Sequence, residues 1–445
     1  MLATPVEFYI FGLTLAGVAL LHKRTLMVAL TGLWVTIAYK LAYSGFAHGS
    51  GWAGFGLHLG HEWVILTNLL LLLLGFAVLA NQFELSRIPD FMPRLLPDNW
   101  LGGAALLLII FLMSTILDNI AAAVIGAVIA RKVYAGRVTL GFLAAIVACA
   151  NAGGAGSVIG DTTTTMMWIA GVSPLVVLKA FIAAGVAFVI VAGFASAAQH
   201  RHQPIIAHVA ADAPKVDGLR MLVVLLLLAA LLATNFIGNA YFPAQQGAAP
   251  WLGLGLWGAI LLTQILRRPD WSVMGEAGRG AAFLVCLVGL ASLMPVESLP
   301  PASWASALGL GFLSSVFDNI PLTALALKQG GYDWGVLAFA VGFGGSMMWF
   351  GSSAGVAVSS LFPEVRSVGG WLRQGWFVPV GYLAGFLALL LAMGWAPTPT
   401  RGESQAAPHA TGEHGFDPTA AARFWRDARG LIDEAVARAA PAGER

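Results

Sequence analysis

The chain has 445 residues, of which 10% are charged and 58% hydrophobic, and its mean hydropathy is +0.80. Soluble domains carry about 25% charged residues, so the composition excludes an ordinary soluble fold and describes a polytopic membrane protein. A net charge of +2, from 24 Lys and Arg against 22 Asp and Glu, lacks the basic footprint of a nucleic-acid binder. Cys149 and Cys286 are the only cysteines and lie in apolar runs, so they offer neither a disulfide framework nor a cysteine-rich metal site.

A transmembrane helix needs about 20 mostly apolar residues. Such runs cover about Pro5 to Leu21, Thr25 to Tyr43 and Glu62 to Ala80. The first run carries Glu7 and follows no basic segment, which reads as an uncleaved helix and not a signal peptide. Next come Leu101 to Leu117, the pair Asp118-Asn119, and an arm from Ile120 to Ala130 closed by Arg131-Lys132. At about 1.5 Å per residue that arm is roughly 16 Å long, too short for a hydrocarbon core about 30 Å thick. The spacing predicts a re-entrant hairpin with Asp118-Asn119 at its tip. From Val138 to Ile169 the apolar character is interrupted by Asn151-Ala-Gly-Gly-Ala-Gly-Ser-Val-Ile-Gly-Asp161-Thr-Thr-Thr-Thr165. Irregular backbone at membrane depth is tolerated only where protein or a water-filled cavity satisfies it, so this helix is expected to be broken at mid-membrane. A helix from about Leu175 to Ala197 completes the first unit, residues 1–199, and a polar cytoplasmic linker follows at 200–219.

Residues 220–396 repeat the plan. Helices are expected at about Arg220 to Phe236, Trp251 to Leu266 and Gly280 to Val296, then an arm ending in Phe317-Asp318-Asn319, a second glycine-rich interruption, and a helix from Trp376 to Trp395. Ser114-Thr-Ile-Leu-Asp-Asn-Ile120 matches Ser314-Ser-Val-Phe-Asp-Asn-Ile320 at an offset of 200 residues, and Gly153-Gly154 matches Gly344-Gly345 at 191, which also sets Gly160 on Gly351. Each half then crosses the membrane an odd number of times. The expected fold is all-α, with two inverted repeats, each holding a re-entrant hairpin and a broken helix, and about ten crossings in total.

Basic residues concentrate in cytoplasmic loops. With the N-terminus outside, Lys23-Arg24, Arg87, Arg94, Arg131 to Arg137, Arg201 to Arg220, Arg267-Arg268, Arg279, Arg366 and Arg373 fall inside. The loops near Ser44 to His61, Gly238 to Pro250 and Ser298 to Ala302 contain no Lys or Arg; Lys328 and the tail are the exceptions. This distribution places a multi-pass protein in a cell inner (plasma) membrane with both termini outside the cytoplasm. The polar tail, 397–445, repeats Phe424, Ala428, Leu431, Ile432, Ala435 and Val436 at helical spacing. It is read either as an amphipathic helix for the membrane or a partner, or as a solvated tail.

Ionisable groups inside a bilayer are costly and usually functional, and Asp118, Asp161 and Asp318 are the acids expected at the centre. Helix capping is the simplest role for an Asp-Asn pair; burial and recurrence in both halves favour binding by the aspartates, with Asn119 and Asn319 as caps. Asn151, Ser157, Thr162 and Thr163 add side-chain oxygens of the kind hard cations take. The second stretch, Gly342-Phe-Gly-Gly-Ser346-Met-Met-Trp-Phe-Gly-Ser352-Ser353, supplies hydroxyls and no acid. Close packing through small residues is the alternative for either stretch, and Thr164 and Thr165 serve equally well as back-bonding helix residues. His58, His61 and Glu62 cluster in an expected outer loop, where solvation explains them better than pH sensing. Lys40 and Lys179 are expected to snorkel from helix ends to the interface.

The stretch from Asn151 to Trp168, with Leu117-Asp-Asn before it and Asp318-Asn-Ile-Pro-Leu322 and Gly351-Ser-Ser-Ala-Gly355 after it, resembles the NhaD-type sodium/proton antiporters. These belong to the ion transporter superfamily, whose other members include arsenite and citrate or dicarboxylate carriers. The resemblance runs from about Glu62 to Trp395. It implies that hairpins and broken helices form a mobile transport unit with Asp118, Asn119, Asn151, Asp161, Thr163, Ser314, Asp318, Asn319 and Ser353 as site residues. One departure is Ile120-Ala-Ala-Ala123, where antiporters of this type tend to carry threonines.

The expected function is therefore exchange of Na⁺ or Li⁺ for H⁺ by alternating access, with both ions competing for Asp118, Asp161 and Asp318. No enzymatic activity and no cofactor are expected. The partners are the lipid bilayer, small cations and protons, with a homodimer as a further candidate and no nucleic acid. Two rivals remain at this level. One is a Na⁺- or H⁺-coupled carrier of citrate, another carboxylate or an oxyanion, which half-helix N-termini suit but three central acids oppose. The other is an intramembrane aspartyl protease, although Val158-Ile-Gly160 before Asp161 lacks the Gly-x-Gly-Asp pattern of presenilin-like enzymes.

Overall fold

In hydrocarbon a backbone N–H or C=O finds no water, so an apolar chain closes its hydrogen bonds within helices and breaks them only where protein supplies other partners. This sequence follows that constraint. The computed structural model describes residues 5–21, 24–47, 49–88, 96–206, 215–242 and 248–400, and among these every regular element is a helix, with one isolated bridge between Phe46 and Gly49. The amphipathic stretch of the tail and residues 207–214 of the linker lie outside the described residues, as do Lys23 and Arg94.

The first half comprises α1 (Val6–Leu20), α2 (Thr25–Tyr39), α3 (Gly51–Leu85), α4 (Trp100–Ser114), α5 (Asn119–Val133), α6 (Leu140–Ala155), α7 (Thr162–Ile169), the single turn α8 (Pro174–Val177) and α9 (Ala180–His202). The second comprises α10 (Gly218–Tyr241), α11 (Trp251–Thr263), α12 (Met274–Ser292), α13 (Trp304–Ser314), α14 (Asn319–Gln329), α15 (Trp334–Gly344), α16 (Ser353–Leu361), α17 (Val368–Gln374) and α18 (Phe377–Met393). Among the described residues five helices are long and apolar enough to span a membrane, with a sixth if α17 and α18, bent by 58° at their junction, are taken as one span.

The elements segregate into two groups. α1, α2 and α3 pack with α10, α11 and α12, which we call the scaffold. The other elements form a second group, in which α4 packs on α6 and α13 on α15, while α6 meets α15 and α9 meets α18. Here α5 packs on α16 and α14 on α7, so each hairpin arm pairs with the broken helix of the opposite half. The two groups meet where α14 lies on α12 and α7 on α3.

Both breaks fall where the glycines predict. α6 stops at Ala155 and the chain resumes as α7 at Thr162; α15 stops at Gly344, passes through one 3-10 turn, and resumes as α16 at Ser353. A Cβ added at Gly153 would strike the carbonyl oxygen of Phe111, and one at Gly344 that of Gly311. The recurrent glycines therefore let the broken helices lie directly against the first arm of each hairpin.

Several expectations are corrected. α3 starts at Gly51 and runs 35 residues, so His58, His61 and Glu62 belong to a helix and not to an outer loop. Trp52, Phe55, Leu57 and Leu59 keep this turn-rich segment apolar enough to continue the helix, and His58 is buried against Ser292, with Nε2 to Oγ at 3.1 Å. α12 is displaced toward the N-terminus of its expected span because Pro295 cannot continue it. Lys40 does not snorkel: it is buried and pairs with Glu7 at 3.7 Å. Lys179 lies 4.0 Å from the buried Asp333.

At one face, Arg267 pairs with Asp217 at 3.0 Å and Arg220 donates to Gln82 at 2.6 Å, gathering the ends of α3, α10 and α11. The two sides of the linker are also fixed by backbone bonds: Ile206 N–H donates to Val133 O and Asp217 N–H to Ser86 O, both at 2.9 Å. Gly153→Ala and Gly344→Ala are expected to cost about 1–3 kcal/mol through overpacking. A lowered unfolding midpoint of the purified protein checks this, with Gly185→Ala, which faces open space, as the unchanged control.

Candidate functional site

Four helix N-termini form at the breaks, and the caps at the two hairpin tips are Asp118 and Asp318, not Asn119 and Asn319 as expected: each asparagine is the first residue of its helix, one position past the cap. Asp118 accepts from Ile120 N–H at 3.3 Å, and Asp318 from Ile320 N–H at 3.0 Å, with nearly identical backbone angles at the two caps. Asp161 Oδ1 accepts from Thr163 N–H at 3.1 Å, and Ser352 Oγ from Gly355 N–H at 3.3 Å. Aspartates at helix N-termini meet the positive end of the helix dipole, which helps a carboxylate persist away from water.

Asn151 joins these elements. Its Oδ1 accepts from Asn119 Nδ2 at 3.0 Å, while its own Nδ2 donates to Ser346 Oγ at 2.9 Å and to Ser352 Oγ at 3.1 Å. All four residues are buried, so one amide links the first hairpin to both broken helices. Asp318 uses its second oxygen to accept from Ser353 Oγ at 3.1 Å, tying the second hairpin to α16.

Asp161 differs from the other caps. It is 2% exposed, and its Oδ2 has no hydrogen-bond partner; Thr163 Oγ1, fully buried on the same turn, has none either. At the repeat offset of 191 residues, Asp161 corresponds to Ser352 and Asn151 to Gly342. Asn151 fills the space beside Ser352, whereas a Cβ at Gly342 would stand 3.2 Å from Asp161 Oδ2. Glycine thus lets α15 come close beside the unpaired oxygen, where the other half places an amide.

The remaining candidates divide. Thr162 and Asn319 are buried at the site. Ser314 donates to Val341 O at 2.7 Å and so fastens α13 to α15, while Ser157 donates to Thr115 O at 2.6 Å. Thr164 and Thr165 bond back to the carbonyl of Asp161, at 2.8 and 3.0 Å, taking the back-bonding role. The three aspartates do not gather into one carboxylate cluster: among the described residues no group of three or more His, Cys, Asp and Glu is placed to hold a metal ion.

Sequence reading missed Ser346 and Gly342 as site residues. Ser346 lay in a stretch already noted for its hydroxyls; Gly342 was detectable only by carrying the 191-residue offset back to Asn151. Asn151→Ala is expected to leave Asn119, Ser346 and Ser352 short of partners and to cost about 1–3 kcal/mol. A lowered unfolding midpoint, larger than that for Thr162→Ala, checks this.

Apolar helices long enough to span a membrane, with capped breaks buried among them, define a polytopic membrane protein of the transporter class. No family model matches the chain. The chain is 30% identical over 325 residues to Sodium/proton antiporter 1 of Arabidopsis thaliana, a match covering 63% of this chain and 54% of that protein. It thus spans about half the length of this relative. It is 24% identical over 410 residues to the Na(+)/H(+) antiporter NhaD of Vibrio parahaemolyticus, covering 81% of this chain and 97% of that one. The YdaH transporter of Alcanivorax borkumensis aligns over 84% of this chain and 97% of its own, at 14% identity and a TM-score of 0.44. The resemblance carried by the motifs is matched by these sequences: the chain is a relative of the NhaD-type sodium/proton antiporters. Those relatives are named as transporters and not as enzymes.

Proposed function

We propose that the chain is a secondary active transporter that exchanges Na⁺ or Li⁺ for H⁺ by alternating access. The observation that carries this reading is the buried Asp161, whose unpaired Oδ2 faces Gly342 with no side chain between them. A carboxylate taken out of water is tolerable when it holds a proton or a cation. The two ligands therefore compete for one oxygen, and release of one accompanies binding of the other. Thr163 Oγ1, buried without a partner on the same turn, is a candidate second cation ligand. The names of the relatives support the same exchange.

The proposed architecture is two inverted repeats, residues 1–199 and 220–396, joined by the linker at 200–219 and followed by the tail at 397–445. Support comes from the reciprocal packing of α5 on α16 and α14 on α7, and from the self-matched pairs α6 with α15 and α9 with α18. In this reading α4–α5 and α13–α14 are re-entrant hairpins, the chain crosses a plasma membrane about ten times, and both termini lie outside the cytoplasm. The basic residues gathered near Asp217 then mark the cytoplasmic face. An anion carrier is disfavoured, because the helix N-termini that would receive an anion are already occupied by the aspartate and serine caps.

In everted vesicles, Na⁺ or Li⁺ is expected to dissipate a respiration-generated pH gradient, and Asp161→Asn to abolish this without loss of protein from the membrane. Absence of the response in the wild-type protein, or its survival in Asp161→Asn, overturns the proposal. Gly342→Ala is expected to raise the apparent KM for Na⁺ about tenfold, equivalent to ~1.4 kcal/mol, because the methyl group enters the space beside Oδ2.

A further inference from the structure

The two hairpins differ where their second arms end. The last turn of α14 carries Lys328, whereas the residue at the 200-residue offset in α5 is Val128, about one turn before the Arg131 and Lys132 that end that longer helix. The Lys328 ammonium donates to the carbonyl of Ser292 at 2.6 Å and to that of Met294. Ser292 is the last residue of α12, where helix carbonyls lack intrahelical donors and the helix dipole favours a cation, and Met294 lies just past the C-cap, its carbonyl also accepting from Val296 N–H. α12 belongs to the scaffold, whereas α14 begins at Asp318 and belongs to the group that holds the site. One side chain therefore ties the arm that starts at the site to the opposite helix group.

The surroundings allow this tie to open. Lys328 borders a cavity of about 570 Å³ whose lining includes Glu7, Lys40, His58 and Glu297. A released ammonium would have water and acidic groups there and would not face lipid. Ser292 is itself held in place, since its hydroxyl donates to Gly289 O at 2.8 Å and is left to accept from His58 Nε2.

We propose that Lys328 is a conformational latch that holds the site-bearing helices against α12, and that the change of access breaks its two bonds. This rests on the alternating-access reading above. The latch thus favours the arrangement described here over its counterpart.

The test uses full-length protein in liposomes with Cys149 and Cys286 replaced by Ser and spin labels at Leu262 on α11 and Val189 on α9, both largely exposed. Pulsed dipolar spectroscopy reports the distance between the two groups. The parent is expected to show one dominant distance, and Lys328→Met a second population enriched about tenfold. Lys328→Arg is expected to keep the parent distribution, as is Ser292→Ala, which retains the backbone carbonyl. If Lys328→Met fails to elute as a folded species, Lys328→Gln is read in the same way, since its shorter neutral side chain also releases the carbonyls. A distribution unchanged in either loss variant overturns the latch, as does a Ser292→Ala variant that reproduces the loss. Exchange is measured on the same liposomes: a parent that fails to exchange Na⁺ for H⁺ refutes the functional reading, whereas unchanged distances in an exchanging protein refute the latch alone.

Discussion

An unpaired peptide group in hydrocarbon costs several kcal/mol, and this chain interrupts its helices in the interior at two hairpin tips and two mid-helix breaks. Most of what is distinctive about the molecule answers that constraint. Asp118, Asp161, Asp318 and Ser352 cap the helices that restart at the breaks. Asn151 then binds the capped elements to one another, and the glycines at 153 and 344 bring them close enough for those bonds to form.

In the proposed site the same side chains can serve structure and chemistry because a carboxylate has two oxygens. In Asp318 both are engaged, one by the cap and one by Ser353. In Asp161 the cap takes Oδ1 and Oδ2 is left over. In a site built in this way truncating the acid also removes a helix cap, so substitutions that keep hydrogen-bonding shape, such as Asp to Asn, separate the two roles better than Asp to Ala.

The membrane class and the two breaks were legible in the sequence because low charge, glycine runs and the repeated Asp-Asn pairs are local signals. Boundaries were less so. The N-terminal third of α3 reads as a loop from its glycines and histidines, and only packing against α12 reveals His58 as a buried residue. Lys40 and Lys179 illustrate the same limit: a lysine near a helix end looks like a snorkelling group until its acidic partner, distant in sequence, is seen beside it. At the site, residue types with chemistry announced themselves, whereas Gly342 did not, since its contribution is an absence of atoms next to Asp161.

The backbone bonds on either side of the linker carry a mechanical consequence. Ile206 is pinned to Val133 in the site-bearing group, and Asp217 to Ser86 in the scaffold. The chain between these anchors acts as a tether, and at about 3.3–3.6 Å per residue its eleven steps limit their separation to roughly 40 Å. Each residue removed from the linker shortens that leash by about 3.5 Å, so its length sets an upper bound on how far one helix group can travel past the other.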